Sequence, residues 1–223
     1  MKYAWINLLI ITGPLALSFD SRVSYFRRWP AVFLTVLVVG VFYVAWDIFA
    51  TRRGDWSFNF KYLTGTRWRG LPVEEVFFFV TVPFSCIFIL ECVQAYLPEV
   101  TLPFSPPPYF FAALLFGALA GRFRERFYTR SVFLVCGSFF LLAGFLGADM
   151  VSSSHFWTAL LITYIPFVIF NGFLTGLPIV IYNPRAILGI RVASIPLEDF
   201  FYSFSMLGFY FLVFLHFRPL VGF

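Results

Sequence analysis

Residues 59–75 read NFKYLTGTRWRGLPVEE, and residues 183–199 read NPRAILGIRVASIPLED. A shift of 124 residues lays the first stretch on the second without a gap. Asn59 falls on Asn183, Lys61 on Arg185, Gly65 on Gly189 and Arg67 on Arg191. Pro72 falls on Pro196, Glu74 on Glu198 and Glu75 on Asp199. Both copies follow the pattern Asn-x-[Lys/Arg]-x3-Gly-x-Arg-x4-Pro-x-Glu-[Glu/Asp]. A compositional bias can align apolar positions by chance, but not Asn, Gly, Arg, Pro and Glu in one register. The same register sets Asp47 on Asn171 and Thr51 on Thr175. The chain is duplicated, and each copy carries a Pro-x-Glu-acid motif.

The surroundings of the motif are those of a membrane protein. Of the 223 residues, 61% are hydrophobic and 12% charged, against roughly 45–50% and about 25% in soluble domains. A hydrocarbon core takes about 20 apolar residues per helix. Apolar runs cover residues 3–18, 30–50, 73–97, 107–121, 131–150, 155–182 and 196–217. They are continuous rather than alternating, which excludes a β-barrel. The fold expected is an all-α polytopic helix bundle of about seven transmembrane helices. The first run has the basic start and small residues of a signal peptide, but the duplication includes it, so it is retained as a helix.

The register lays the first helix on the fifth, the second on the sixth and the third on the seventh. The chain divides into a three-helix repeat over 1–98, a linker helix over 99–123 and a second three-helix repeat over 124–223. An odd linker returns the chain to its starting side, so the repeats are parallel, about an axis near the membrane normal. With seven crossings, 12 of the 16 basic residues fall on the side of the N-terminus and the loops near 51–72, 122–130 and 183–195. The positive-inside rule places that side in the cytoplasm of a multi-pass cell-membrane protein, with the C-terminus opposite. These charges are topology signals, and no nucleic-acid motif accompanies them.

Cys86, Cys92 and Cys136 lie in apolar segments without metal-ligand spacing and read as packing residues. His155 and His216 stand alone, and no metal or nucleotide motif is present.

Pro72 and Pro196 suit the first turn of a helix. Glu74, Glu75, Glu198 and Asp199 then lie near the positive end of a helix dipole. One such motif is an ordinary helix start. Two copies with the same upstream Asn, Gly and Arg make the acids functional candidates, because acids entering a membrane helix are costly unless they face a protein interior. Phe77 and Phe78 follow Glu74 by three and four residues, as Phe201 and Tyr202 follow Glu198, which puts aromatic rings on the acids' helix face. Such rings stabilise cations. Asp47 and Asn171 are helix-end or interhelical polar groups, and their difference makes the halves chemically unequal. Arg67 and Arg191 are either partners of the acids or topology charges. Glu91 lies about 24 Å beyond Glu75 along a helix, near the opposite face. A buried acid pair can share a proton and protonate an isoprenoid double bond, with ring faces screening the cation until a base removes a proton.

The PVEEVFFF segment from Pro72 and the PLEDFFYS segment from Pro196, the Asn-x5-Gly spacing and the three-plus-one-plus-three helix plan resemble the membrane-embedded carotenoid cyclase family. The likeness covers essentially the whole chain and corresponds to the fused two-repeat form without a phytoene synthase domain. It implies a lycopene β-cyclase, an intramolecular lyase or isomerase of carotenoid biosynthesis. The ψ-ends of lycopene would be protonated at C2, closed through the C1 cation and deprotonated at C6. By this resemblance Glu74 or Glu75 works with Glu198 or Asp199 as donor and receiver. Asn59, Asn183, Asp47 and Arg191 are implied as supporting residues. No flavin motif is present, and no cofactor or metal is implied. The partners expected are lycopene and the lipid bilayer, not nucleic acid, and a homo-oligomer is compatible with the sequence. A cyclase for C50 carotenoids or a related hydratase shares these features. A small proton-coupled transporter also suits parallel repeats, but expects its acids near the midplane. An inactive subunit of a pigment assembly is the remaining alternative.

Overall fold

The computed structural model describes residues 1–103 and 107–221. Its helices are α1 (Lys2–Leu17), α2 (Trp29–Arg53), α3 (Val73–Tyr96), α4 (Pro107–Arg122), α5 (Phe127–Leu146), α6 (Ala148–Ser152), α7 (Ser154–Gly176) and α8 (Leu197–Val221). Helices α2, α3, α5, α7 and α8 are long and apolar enough to cross a membrane. The chain is an all-α membrane helix bundle. Helices α1 and α4 have 16 residues each, or about 24 Å of rise, against a hydrocarbon thickness of about 30 Å.

Two runs are corrected. The fifth, expected over 131–150, starts at Phe127 and stops at Leu146, and the short α6 follows. The sixth, expected over 155–182, stops at Gly176. Its last residues form strand β4 (Val180–Tyr182), which pairs antiparallel with β1 (Trp56–Phe58). Pairing with a strand far away in sequence overrides the apolar continuity that suggested one helix.

This ribbon joins the two halves about a local two-fold axis. Trp56 opposes Tyr182, Ser57 opposes Ile181 and Phe58 opposes Val180. Under the 124-residue shift the counterpart of Ser57 is Ile181, its own partner. The flanking bonds obey the same symmetry: Asn59 N donates to Ile179 O at 2.9 Å, and Asn183 N to Asp55 O at 2.8 Å. Gly54 lets α2 end just before the ribbon. Its φ of 81° lies in the left-handed region that glycine adopts without penalty.

The two connecting loops also match. Strand β2 (Arg67–Trp68) pairs with β3 (Leu71–Pro72), and β5 (Arg191–Val192) pairs with β6 (Ile195–Pro196). Pro72 and Pro196 thus end strands, one position before the first helical turn where they were expected.

Helix α2 packs on α8, and α7 packs on α3, so the second helix of each half leans on the third helix of the other. Helix α4 has no counterpart and packs along α5. The N-terminal ammonium donates to Leu63 O at 3.2 Å. Arg126 donates to Ile187 O and Pro184 O. The N-terminus and the loops before α3, α5 and α8 therefore gather at one face, termed the loop face. At the other face, Arg28 and Arg218 flank the buried Glu91 at 3.4 and 3.0 Å.

Gly208 marks a close helix approach. A Cβ there would lie 2.6 Å from the fully buried Phe139 ring. Gly208→Ala is expected to cost about 1–3 kcal/mol through overpacking, read as a lower thermal midpoint in detergent. An unchanged midpoint would show that Phe139 can move aside.

Candidate functional site

The helix starts of α3 and α8 meet under the ribbon and place acids on a shared cavity of about 270 Å³. Ligand pockets usually span about 300–1,000 Å³, so this one has room for an end of a long molecule rather than its whole length. Helices α1, α2, α3, α5, α7 and α8 and the ribbon all contribute to its lining. Most of the wall is aromatic or aliphatic, including Phe78, Phe79, Phe167, Phe170 and Tyr202. Three acids interrupt it: Asp47, Glu75 and Asp199. They are only 1%, 8% and 4% exposed.

The first half supplies two of these acids. Glu75 Oε2 accepts a hydrogen bond from the Tyr3 hydroxyl at 2.7 Å. Asp47 Oδ1 accepts from Trp56 Nε1 at 2.8 Å and from Thr51 Oγ1 at 3.2 Å. Asp47 Oδ2 has no N–H or O–H donor and is buried. The Asp47 and Glu75 carboxyl groups line the same cavity within hydrogen-bonding reach of each other. Two carboxyl groups in contact need a proton between them.

The second half is built differently. Asp199 accepts from the Tyr128 hydroxyl at 2.7 Å, the Tyr182 hydroxyl at 2.8 Å and Asn171 Nδ2 at 2.9 Å. Three donors from three different elements thus converge on one carboxyl. Burial, reinforced by the Asp199 carboxylate, pushes the Tyr182 phenol well above its ordinary range, so it stays a donor. The Asp47/Asn171 difference is therefore a difference between an acid beside an acid and an amide that donates to a carboxyl.

Glu74 and Glu198 turn away from the cavity. Glu74 Oε1 accepts the Thr64 amide at 2.5 Å, and Glu198 Oε1 accepts the Leu188 amide at 2.5 Å. Thr129 Oγ1 also donates to Glu198 Oε1. These two acids hold the connecting loops against the helix starts. Asn59 and Asn183 do similar work two residues ahead, accepting from Lys61 N and Arg185 N, and Asn183 Nδ2 also donates to Gly54 O.

Neither arginine reaches an acid. Arg67 stacks over Phe60 at 3.9 Å, and Arg191 donates to Ser194 O at 2.5 Å. The aromatic pairs split as well. Phe78 and Tyr202 line the cavity, whereas Phe77 is 57% exposed. Phe201 packs between Phe116 and Phe133, at 5.8 and 5.5 Å.

Most lining residues face the cavity together with their repeat mates, among them Asp47 with Asn171, Glu75 with Asp199 and Phe78 with Tyr202. Cys86 lines the cavity, while its counterpart Tyr210 is fully buried and donates to Phe79 O at 3.2 Å.

Sequence reasoning missed Tyr3, Tyr128, Trp56 and Tyr182. Tyr3 and Tyr128 make equivalent bonds to Glu75 and Asp199, yet they align at a shift of 125, not 124. The register therefore changes by one residue between these tyrosines and the second helix of each half, and a gapless comparison hides the pair. Trp56 and Tyr182 lie on opposing strands and are not repeat mates of each other, so no internal signal marks them.

No curated protein and no solved structure matches the chain. A family model described as lycopene cyclase matches residues 1–93 and 125–217, one segment in each half. Those segments hold Asp47, Glu75, Asn171 and Asp199 and cover well over half of the sequence. The chain belongs to the lycopene cyclase family.

Proposed function

We propose that this chain is a lycopene β-cyclase, closing the linear ψ-ends of lycopene into β-rings without net redox change. The observation that supports this most is the convergence of Asp47, Glu75 and Asp199, from both halves, on one aromatic-walled cavity. Glu75 is the donor. Its proton adds to C2 of a ψ-end, and the charge forms at C1. The C5=C6 double bond attacks C1, so the C1–C6 bond forms and the charge moves to C5. Asp199 then takes the proton from C6, and the electron pair of that C–H bond becomes the C5=C6 double bond of the ring. The faces of Phe78, Phe79 and Tyr202 screen the cation between these steps. Glu74 and Glu198 act on the reaction by fixing the loops that roof the cavity.

The loop face is cytoplasmic in this reading and the membrane is the cell membrane, supported by the concentration of basic residues on that side. The repeat limits 1–98 and 124–223, with the linker 99–123, belong to the same reading, supported by the 124-residue register.

Expression in lycopene-accumulating cells tests the activity directly. Chromatography of the pigments is expected to show γ-carotene and β-carotene. Unchanged lycopene, with the chain present in the membrane fraction, would refute the β-cyclase reading.

A further inference from the structure

The ribbon separates two spaces. Below it lies the acid-lined cavity, and above it a surface groove at the loop face of about 550 Å³. Trp56, Phe58 and Tyr182 line both, so the partition is one side chain thick. Thr51 lines the groove, and its hydroxyl donates to Asp47 Oδ1 at 3.2 Å. Asp47 lines the cavity together with Glu75, and the two carboxyl groups lie within hydrogen-bonding reach. A continuous line of exchangeable groups thus runs from the groove through Thr51 and Asp47 to Glu75. The second half lacks this line. Thr175 donates to the backbone oxygen of Asn171 at 2.8 Å and shares a bond with Ser194 Oγ at 2.7 Å. Asn171 itself is an amide that serves Asp199.

We propose that Thr51 and Asp47 form a proton inlet that recharges Glu75 from water in the loop-face groove after each ring closure. This rests on the assignment of Glu75 as donor to the substrate. The bookkeeping of protons requires some reset. Each ring closure leaves Glu75 without a proton and Asp199 with one. The proton on Asp199 leaves past Tyr182, which borders the groove, and an equal proton enters through Thr51 and Asp47. A hydroxyl passes a proton by accepting on one side while donating on the other, so neither Thr51 nor Tyr182 has to ionise. Asp47 is a relay residue in this scheme.

Deuterium labelling tests it. Membranes carrying the full chain turn over lycopene in D2O, and the product is weighed by mass spectrometry. Resetting through the groove predicts one deuterium per ring in every turnover. Direct return from Asp199 to Glu75 would reuse the proton taken from C6 and give mostly unlabelled product after the first turnover, which would overturn the proposal. Thr51→Val removes the hydroxyl with little change of shape. Turnover is expected to fall roughly tenfold, below the full range of about 10²–10⁴ for lost acid–base catalysis. The unlabelled share of product should rise, and Thr51→Ser should restore both. A purely structural role for Thr51 would lower turnover without changing the label, and that result too would overturn the inlet. If no cyclised product forms even with the unaltered chain, the β-cyclase reading fails instead. Labelled and unlabelled product thus judge the inlet separately.

Discussion

Glu75→Gln is expected to abolish ring formation while the chain still inserts into the membrane. The amide keeps the size of the side chain and an oxygen for the Tyr3 hydroxyl, which donates to Glu75 Oε2 at 2.7 Å. It has no acidic proton to give to a double bond, and it cannot share one with Asp47. Loss of a positioned acid costs about 10²–10⁴ in rate, so product should fall to the limit of chromatography. Glu74→Gln is the control beside it. A glutamine oxygen can still accept the Thr64 amide that Glu74 holds at 2.5 Å, so this variant should retain much more activity. Equal loss in both variants would place Glu74 in the chemistry and contradict the orientation of the two side chains.

Asp199→Asn is the second variant with a large expected effect. Its carboxyl receives hydrogen bonds from Tyr128, Tyr182 and Asn171. Asparagine at this position brings an amide N–H₂ among three donors and removes the negative charge facing the cation. The step that should fail is proton removal from C6, so a loss of about 10²-fold or more is expected, again with normal insertion. Full activity would show that another group takes the proton. The two variants are not interchangeable. Glu75→Gln should prevent protonation, and the labelling experiment should then show no deuterium in recovered lycopene. Asp199→Asn leaves the donor in place, so deuterium can enter recovered substrate if protonation at C2 reverses.

The helices and the duplication were legible because their causes are local. An apolar run of about 20 residues spans hydrocarbon whatever surrounds it, and a repeated motif is visible by self-comparison. The limits of the sixth helix were not legible. Val180–Tyr182 is apolar enough to continue α7, and only its pairing with Trp56–Phe58 makes it a strand. That contact spans more than a hundred residues of sequence. The roles within each acid pair were equally hidden. Neighbours on a helix point about 100° apart, and which of Glu74 and Glu75 faces the cavity depends on how α3 is rotated against the other helices. Membrane helices are apolar nearly all round, and their periodicity does not mark the inner face.

From the sequence alone came the membrane class, two parallel copies, and the short set of acids and amides that distinguishes the halves. These follow from composition and register, which a chain carries before it folds. The tertiary structure decided that Glu75 and Asp199 share a cavity while Glu74 and Glu198 hold loops. It also decided that Asp47 lies beside an acid while Asn171 donates to one, and that Tyr3 and Tyr128 complete the two sets. Those are distances between groups on different helices, and helix packing about the ribbon's two-fold axis brings them together.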